Sequence, residues 1–185
     1  MKEYICESED IKIRKLQDTD EELTMLGKWR DDERVSRFYG GRDKDNSLEG
    51  LKKKYLPRIH GEENMQCCII EYKGQDSGYI QFFPLKKEAY KEHKLKNYKN
   101  AYGIDIFIAG HMGHSKGLGS KSLKTLYTYL FNEKNADLVE ICPRTVNERA
   151  VAAYKKAGFT PHSKLEKGEF FEGKWYEETV MIITK

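Results

Sequence analysis

Apolar and polar positions change period several times along the chain, and each change marks an element. In residues 102–109, Ile104, Ile106 and Ile108 alternate with Gly103, Asp105 and Phe107, the period of a strand. A loop of glycines and short polar residues follows over 110–119. Residues 120–131 then place Leu123, Leu126, Tyr127, Leu130 and Phe131 at the spacing of a helix with one apolar face. Upstream, residues 11–16 alternate as a first strand. Leu23, Leu26 and Trp29 mark a helix over 21–31 behind the capping run Asp18-Thr19-Asp20, and a short helical piece covers 32–38. Asn46 or Ser47 caps a helix over 48–55, which Pro57 is expected to stop near Leu56. Residues 65–72 and 77–85 form a hairpin about Lys73–Asp76, and residues 86–100 read as a long loop. Downstream come a strand over 137–142, ended by Pro143, and a helix over 148–157 between the cap Asn147 and the terminator Gly158. A closing hairpin over 163–171 and 175–184 ends the chain. Hairpins mixed with strand–helix–strand crossovers predict an α/β or α+β class. The expected fold is a mixed sheet with helices on both faces, built as one domain over residues 1–185.

Composition narrows the class without changing the fold. Charged residues are 34% and hydrophobic residues 38% of the chain, and no run of about 18 apolar residues exists, so a soluble cytoplasmic protein without a spanning helix is expected. The N-terminus lacks the apolar core of a secretory signal. The four cysteines, Cys6, Cys67, Cys68 and Cys142, form no CxxC pair, and no histidine stands at metal-ligand spacing. Reduced thiols and no metal are the expectation. A net charge of +3 does not by itself imply nucleic acid. The charge is uneven, however: residues 86–100 carry six lysines against Glu88 and Glu92. That segment reads either as a solvated loop or as a basic rim for an anionic ligand.

The chemistry concentrates where strand, glycine loop and helix meet. Amides at a helix start and the positive end of its dipole suit a phosphate, and glycines allow close approach. The loop His114-Ser115-Lys116-Gly117-Leu118-Gly119 is neither a dinucleotide fingerprint nor a P-loop, and on its own it is equally a structural turn. Asp105 is the polar residue of an isoleucine strand, whose dry surroundings would raise its pKa toward that of a useful base. Tyr154 and Asn147 read either as a proton donor and a ligand contact, or as a core tyrosine and a helix cap.

Asn147…Ala150…Tyr154-Lys155-Lys156-Ala157-Gly158-Phe159, read with the glycine loop, resembles the paired motifs of the GCN5-related N-acetyltransferase superfamily. More closely, Trp29-x-x-Asp32-Glu33-Arg34-Val35-x-x-Phe38-Tyr39-Gly40-Gly41, Gly78-Tyr79-Ile80-Gln81, Tyr102-Gly103-Ile104-Asp105-x-Phe107-Ile108 and Ser115–Gly119 resemble the aminoglycoside 6′-N-acetyltransferases from about Ile11 to Met181. The resemblance implies a mixed, mostly antiparallel twisted sheet, acetyl-CoA as co-substrate and direct transfer to a small-molecule amine, with Asp105 as base and Tyr154 as acid. It assigns coenzyme A to the backbone of Ile106, Phe107 and Ile108, to the loop His114, Ser115, Lys116, Gly117, Leu118, Gly119 and Ser120, and to Asn147, Ala150, Tyr154 and Lys156. The acceptor falls to Phe38, Tyr39, Gln81, Asp105 and Cys142. The protein would act as a monomer or homodimer, away from membranes and nucleic acids.

Three positions depart from the family's pattern. His114 replaces the Gln or Arg that opens the loop. Cys142 stands before Pro143 where an Asp is usual. The segment before the Asp105 strand is lysine-rich rather than acidic. Glu71, Glu140, Glu148 and Glu178 are the acids that would compensate. The same fold would also serve another small amine, a hydroxylamine siderophore precursor or a protein N-terminus, and a non-catalytic coenzyme A-binding module is the reading from a different class.

Overall fold

A computed structural model describes residues 2–42, 44–113 and 117–185. Eight strands lie in the order β1-β2-β3-β4-β5-β6-β8-β7. The pairs β1–β2, β2–β3, β3–β4, β6–β8 and β7–β8 are antiparallel and β5–β6 is parallel, so the sheet is mixed and mostly antiparallel, as expected. The chain divides into two compact units, Met1–Phe82 with Ile106–Leu118, and Phe83–Asp105 with Gly119–Lys185.

The first unit holds β1 (Tyr4–Glu7), β2 (Ile11–Lys15), α1 (Asp20–Asp31), α2 (Glu33–Ser36), α3 (Leu48–Ile59), β3 (Gln66–Tyr72) and most of β4 (Gln75–Pro84). Thr19 caps α1 by accepting from Glu22 N, and Asp20, Glu21 and Glu22 meet the positive end of its dipole. Leu23, Leu26 and Trp29 then pack with Leu51 and Tyr55 of α3 against Cys67, Ile69 and Tyr79 of the sheet.

Three expectations change here. Ser47, not Asn46, caps α3, and that helix continues through Pro57 to Ile59. Proline's fixed φ is helical, so in the last turn it removes one ladder bond without turning the chain. The β3–β4 turn is the two residues Lys73-Gly74, with φ of 51° and 81°, which is a type I′ turn; pairing therefore starts at Tyr72↔Gln75, inside the four-residue loop expected. β1 was not expected at all, because its residues are half-buried or exposed and show no clean alternation.

The second unit holds α4 (Lys87–Glu92), the start of β5 (Ala101–Ile108), α5 (Leu118–Glu133) from Gly119 onward, β6 (Leu138–Ile141), α6 (Glu148–Ala157), β7 (Thr160–Phe171) and β8 (Lys174–Thr184). Leu123, Leu126 and Leu130 of α5 are fully buried, as the period predicts. Asn147 caps α6 and Gly158, at φ 104°, ends it.

The segment over 86–100 is not the plain loop expected. It forms α4, drives Leu95 into a core with Ala101, Leu138, Val180 and Ile182, and packs Tyr90 and Tyr98 against it. Tyr90 Oη accepts a hydrogen bond from Ala101 N at 2.8 Å. A six-residue helix of mostly charged side chains carries no readable period, and its single deep anchor lies beyond its end. Among the described residues, no helix is long and apolar enough to cross a membrane.

Candidate active site

In the second unit, neighbouring strands carry a group of acids to one place. β5 pairs with β6 in parallel from Ala101↔Leu138 to Gly103↔Glu140, and this ladder stops there while β5 runs on through Asp105. Glu140 lies on β6, and Cys142 stands two positions on, just past the end of the strand. His93, just past α4, holds Glu140: its Nδ1 lies 2.9 Å from both carboxylate oxygens. The donor atoms of His93, Glu140 and Cys142 all lie within 4.8 Å of one another. On β8, Glu178 bridges to Arg144, whose buried guanidinium pairs with Glu169 at 3.2 Å and lies 3.7 Å from the centre of the Phe171 ring.

Mutual electrostatics confirm the grouping of these residues. Burial, followed by the negative charges of Glu169 and Asp105, raises the Glu178 carboxyl to about 7. Burial raises the Cys142 thiol, with Glu140, Glu178 and Asp105 adding to it. Burial also raises the Tyr154 hydroxyl, helped by Asp105 and Cys142, so Tyr154 keeps its proton at neutral pH. The hydrogen bond to Glu140 raises the His93 imidazole.

Expected residues Asp105, Cys142 and Tyr154 are thus brought together. Of the four compensating acids, Glu140 and Glu178 belong to this group. Glu71 and Glu148 do not: Glu71 lies in the first unit, where it accepts from Arg14 Nε at 3.0 Å and from Tyr4 Oη at 3.0 Å, and Glu148 is exposed in the first turn of α6. The six lysines of residues 86–100 are all exposed, while Leu95 and His93 of the same segment turn toward the sheet. Sequence reasoning missed His93, Arg144 and Glu169. His93 sits in a lysine run and meets its partner 47 positions away, a distance no spacing rule covers.

The first unit gathers the aromatic residues. The rings of Tyr39 and Phe107 have centroids 4.8 Å apart, Tyr79 stacks on Phe107 at 5.6 Å, and Trp29 meets Phe107 edge-on at 6.5 Å. Phe107 is buried in this cluster, so its side chain serves packing. Phe38 is half-buried beneath the Arg37 guanidinium. Gln81 is buried, with Oε1 accepting from Tyr79 Oη at 2.6 Å and from Arg58 Nη1 at 3.4 Å. Asp32 caps α2 and forks onto Arg34, whose hydrogen bond lowers the Asp32 carboxyl to about 2.

Of the cofactor set, His114, Ser115 and Lys116 lie outside the described residues. Gly117, at φ 70°, adopts the left-handed backbone that glycine allows, and α5 opens at the next residue. Leu118 and Ser120 are buried, Gly119, Ile106 and Ile108 are half-buried, and Lys156 is exposed. Asn147 spends its Oδ1 on the cap, accepting from Ala150 N at 3.2 Å.

Comparison with known proteins agrees with this fold. A family model described as "Acetyltransferase (GNAT) domain" matches residues 18–167. The aminoglycoside N(6′)-acetyltransferase type 1 of Klebsiella pneumoniae is 28% identical over 141 residues, 76% of this chain and 70% of that protein. A kanamycin resistance protein of Rhizobium radiobacter is 39% identical over 57 residues, 31% of this chain and 53% of its own. In structure, aminoglycoside acetyltransferase AAC(6′)-Ib in complex with coenzyme A superposes with a TM-score of 0.77 at 24% identity, covering 95% of each chain. RimL, a ribosomal L7/L12 alpha-N-protein acetyltransferase, superposes with a TM-score of 0.78 at 16% identity, covering 100% of this chain and 96% of its own. The family match over residues 18–167, on a mixed and mostly antiparallel sheet flanked by helices, makes this chain a member of the acetyltransferase (GNAT) domain family.

Proposed function

We propose that this acetyltransferase transfers the acetyl group of acetyl-CoA directly to the 6′-amine of an aminoglycoside. The observation that carries this reading is Asp105 beside Tyr154 with the Glu178 carboxyl near Asp105, and every lysine of residues 86–100 facing solvent. A polycationic acceptor needs carboxylates at the transfer site, and the substrates named for relatives of this chain are polycations of that kind. Cys142 removes one expected acid, and Glu178, whose charge acts on Cys142, supplies another carboxyl there.

The reaction needs a neutral amine, and an ordinary ammonium, with a pKa near about 10, is charged at pH 7. Asp105 binds the ammonium and takes a proton from it, directly or through one water. The amine lone pair then attacks the thioester carbonyl, the nitrogen gives up its second proton to solvent, the carbon–sulfur bond breaks, and the acetyl group is left on nitrogen as an amide. Tyr154, kept protonated at neutral pH by burial and the neighbouring Asp105 charge, gives its proton to the departing thiolate and is reprotonated from solvent; the proton that Asp105 has by then taken from the ammonium removes the charge that held the hydroxyl proton back. For the co-substrate, the positive-φ Gly117 and the amides opening α5 suit a pyrophosphate, and the part of β5 beyond its parallel ladder suits the pantetheine amides. The four free cysteines fit a reducing cytoplasm, and the protein would act as a monomer or homodimer.

The test is release of coenzyme A thiol with a panel of aminoglycosides in matched 6′-amino and 6′-hydroxyl forms, together with small amines and an N-terminal peptide. Turnover confined to the 6′-amino forms is expected. Turnover of the peptide or small amines alone would move the acceptor while leaving the family intact.

A further inference from the structure

We propose that His93, Glu140 and Cys142 form a binding site for a thiophilic divalent cation of the zinc class. Their donor atoms already lie within 4.8 Å of one another, against about 3.5 Å between ligands around a tetrahedral zinc, so small side-chain rotations close the set. The set mixes imidazole, carboxylate and thiol, the combination that favours zinc over magnesium or calcium.

The site is built rather than incidental. Glu140 is fixed on β6 between Gly103 of β5 and Ile182 of β8, and Cys142 directly follows the last residue of that strand. His93 is held from behind by Ser163 Oγ, which donates to the His93 carbonyl at 3.0 Å, and by the burial of Leu95 two residues on. The side chains of Glu140 and His93 are only 4% and 14% exposed, which keeps competing water low. Asp105, Glu178 and Glu169 add negative charge around the set, and Arg144 is committed to Glu169. On binding, the metal takes the place of the proton between His93 and Glu140 and of the Cys142 thiol proton; both protons leave to solvent and no electron moves.

The experiment is a titration of chelator-stripped full-length protein with Co2+, read by the near-ultraviolet thiolate-to-cobalt charge-transfer band, followed by displacement with Zn2+. One strong site is expected, and the band should be retained in Cys6→Ser. It should be lost in Cys142→Ser, and His93→Gln should weaken Zn2+ at least tenfold, with melting temperatures in chelator showing that both variants fold. Absence of the band, its persistence in Cys142→Ser, or an unchanged affinity in His93→Gln overturns the site. None of these readouts needs turnover, so they stand apart from the choice of acceptor.

Discussion

Asp105 and Tyr154 divide the proton work at the residue scale, and their variants separate the two tasks. Asp105→Asn keeps the side chain's shape and removes the base; kcat should fall by about 10²–10⁴-fold. Tyr154→Phe removes only the proton donor, and kcat should fall with little change in the KM of the acceptor, as measured by steady-state thiol release. Glu178 gives a pH signature. Its folded carboxyl titrates at about 7, above its ordinary 4.5. Between about 4.5 and 7 the folded protein holds a proton that the unfolded chain has released, so this residue's effect on stability is unfavourable and grows as pH rises through that window. Glu178→Gln should therefore raise the melting temperature at pH 8 more than at pH 4.5. In the wild type, the KM of a cationic acceptor should fall as pH rises through 7 and Glu178 ionises, and in the variant it should stay flat. An equal effect of the substitution on melting at both pH values would remove Glu178 from the buried acid group. Asp105 was legible in the sequence because it interrupts an alternating isoleucine strand. Glu178 was one of several acids on strands, and only the register of β8 against β6 selects it.

Elements explain which side chains are presented and which are consumed. α6 was readable to the residue, since a capping Asn147 and a terminating Gly158 bracket a short helix and both signals are local. Asn147 combines a cap with a proposed coenzyme A contact, and two substitutions distinguish them. Asn147→Asp keeps the cap, whereas Asn147→Ala loses about 1 kcal/mol of stability. If the amide also meets the cofactor, Asn147→Asp should raise the KM of acetyl-CoA while leaving the melting temperature near the wild-type value.

β1 and the segment over 86–100 were the unreadable elements. Both are held by partners distant in sequence rather than by their own period. β1 carries Tyr4, which donates to Glu71, and Glu71 in turn meets Arg14, a buried cation that also reaches Glu22 at 2.6 Å and Asp76 at 3.0 Å. Arg14→Ala would leave Glu71 buried without its guanidinium, and about 3–5 kcal/mol of stability should be lost in urea unfolding. Arg14→Met, together with Glu71→Leu, should recover much of that loss, because an apolar pair of similar volume avoids the desolvation of both charges.

For the whole molecule, net charge is a poor guide to what the protein binds. The chain carries +3 overall, and the lysine run over 86–100 suggested an anionic partner or a barrier to cations. Folding separates the charges: the lysines lie on the outside of that segment, and its inward side presents His93 and Leu95 to a sheet face rich in carboxylates. Order of elements, class of fold and the two motif helices were legible because they depend on local period, caps and glycines. The assembly of the acid group was not, because it depends on residues from 93 to 178 meeting through strand register. Neutralising Lys87, Lys91 and Lys96 together should change the KM of a polycationic acceptor by less than about threefold at 0.15 M salt, where exposed charges about 8 Å apart are already largely screened.

The most direct test is acetyl transfer from acetyl-CoA to a matched pair of aminoglycosides that differ only in carrying an amine or a hydroxyl at the 6′ position, with wild-type protein and Asp105→Asn side by side. Wild-type protein should release thiol with the 6′-amino compound alone, and Asp105→Asn should lose at least 10²-fold of that rate. Equal rates with both compounds, or a wild-type rate in Asp105→Asn, would contradict transfer to a 6′-amine at Asp105.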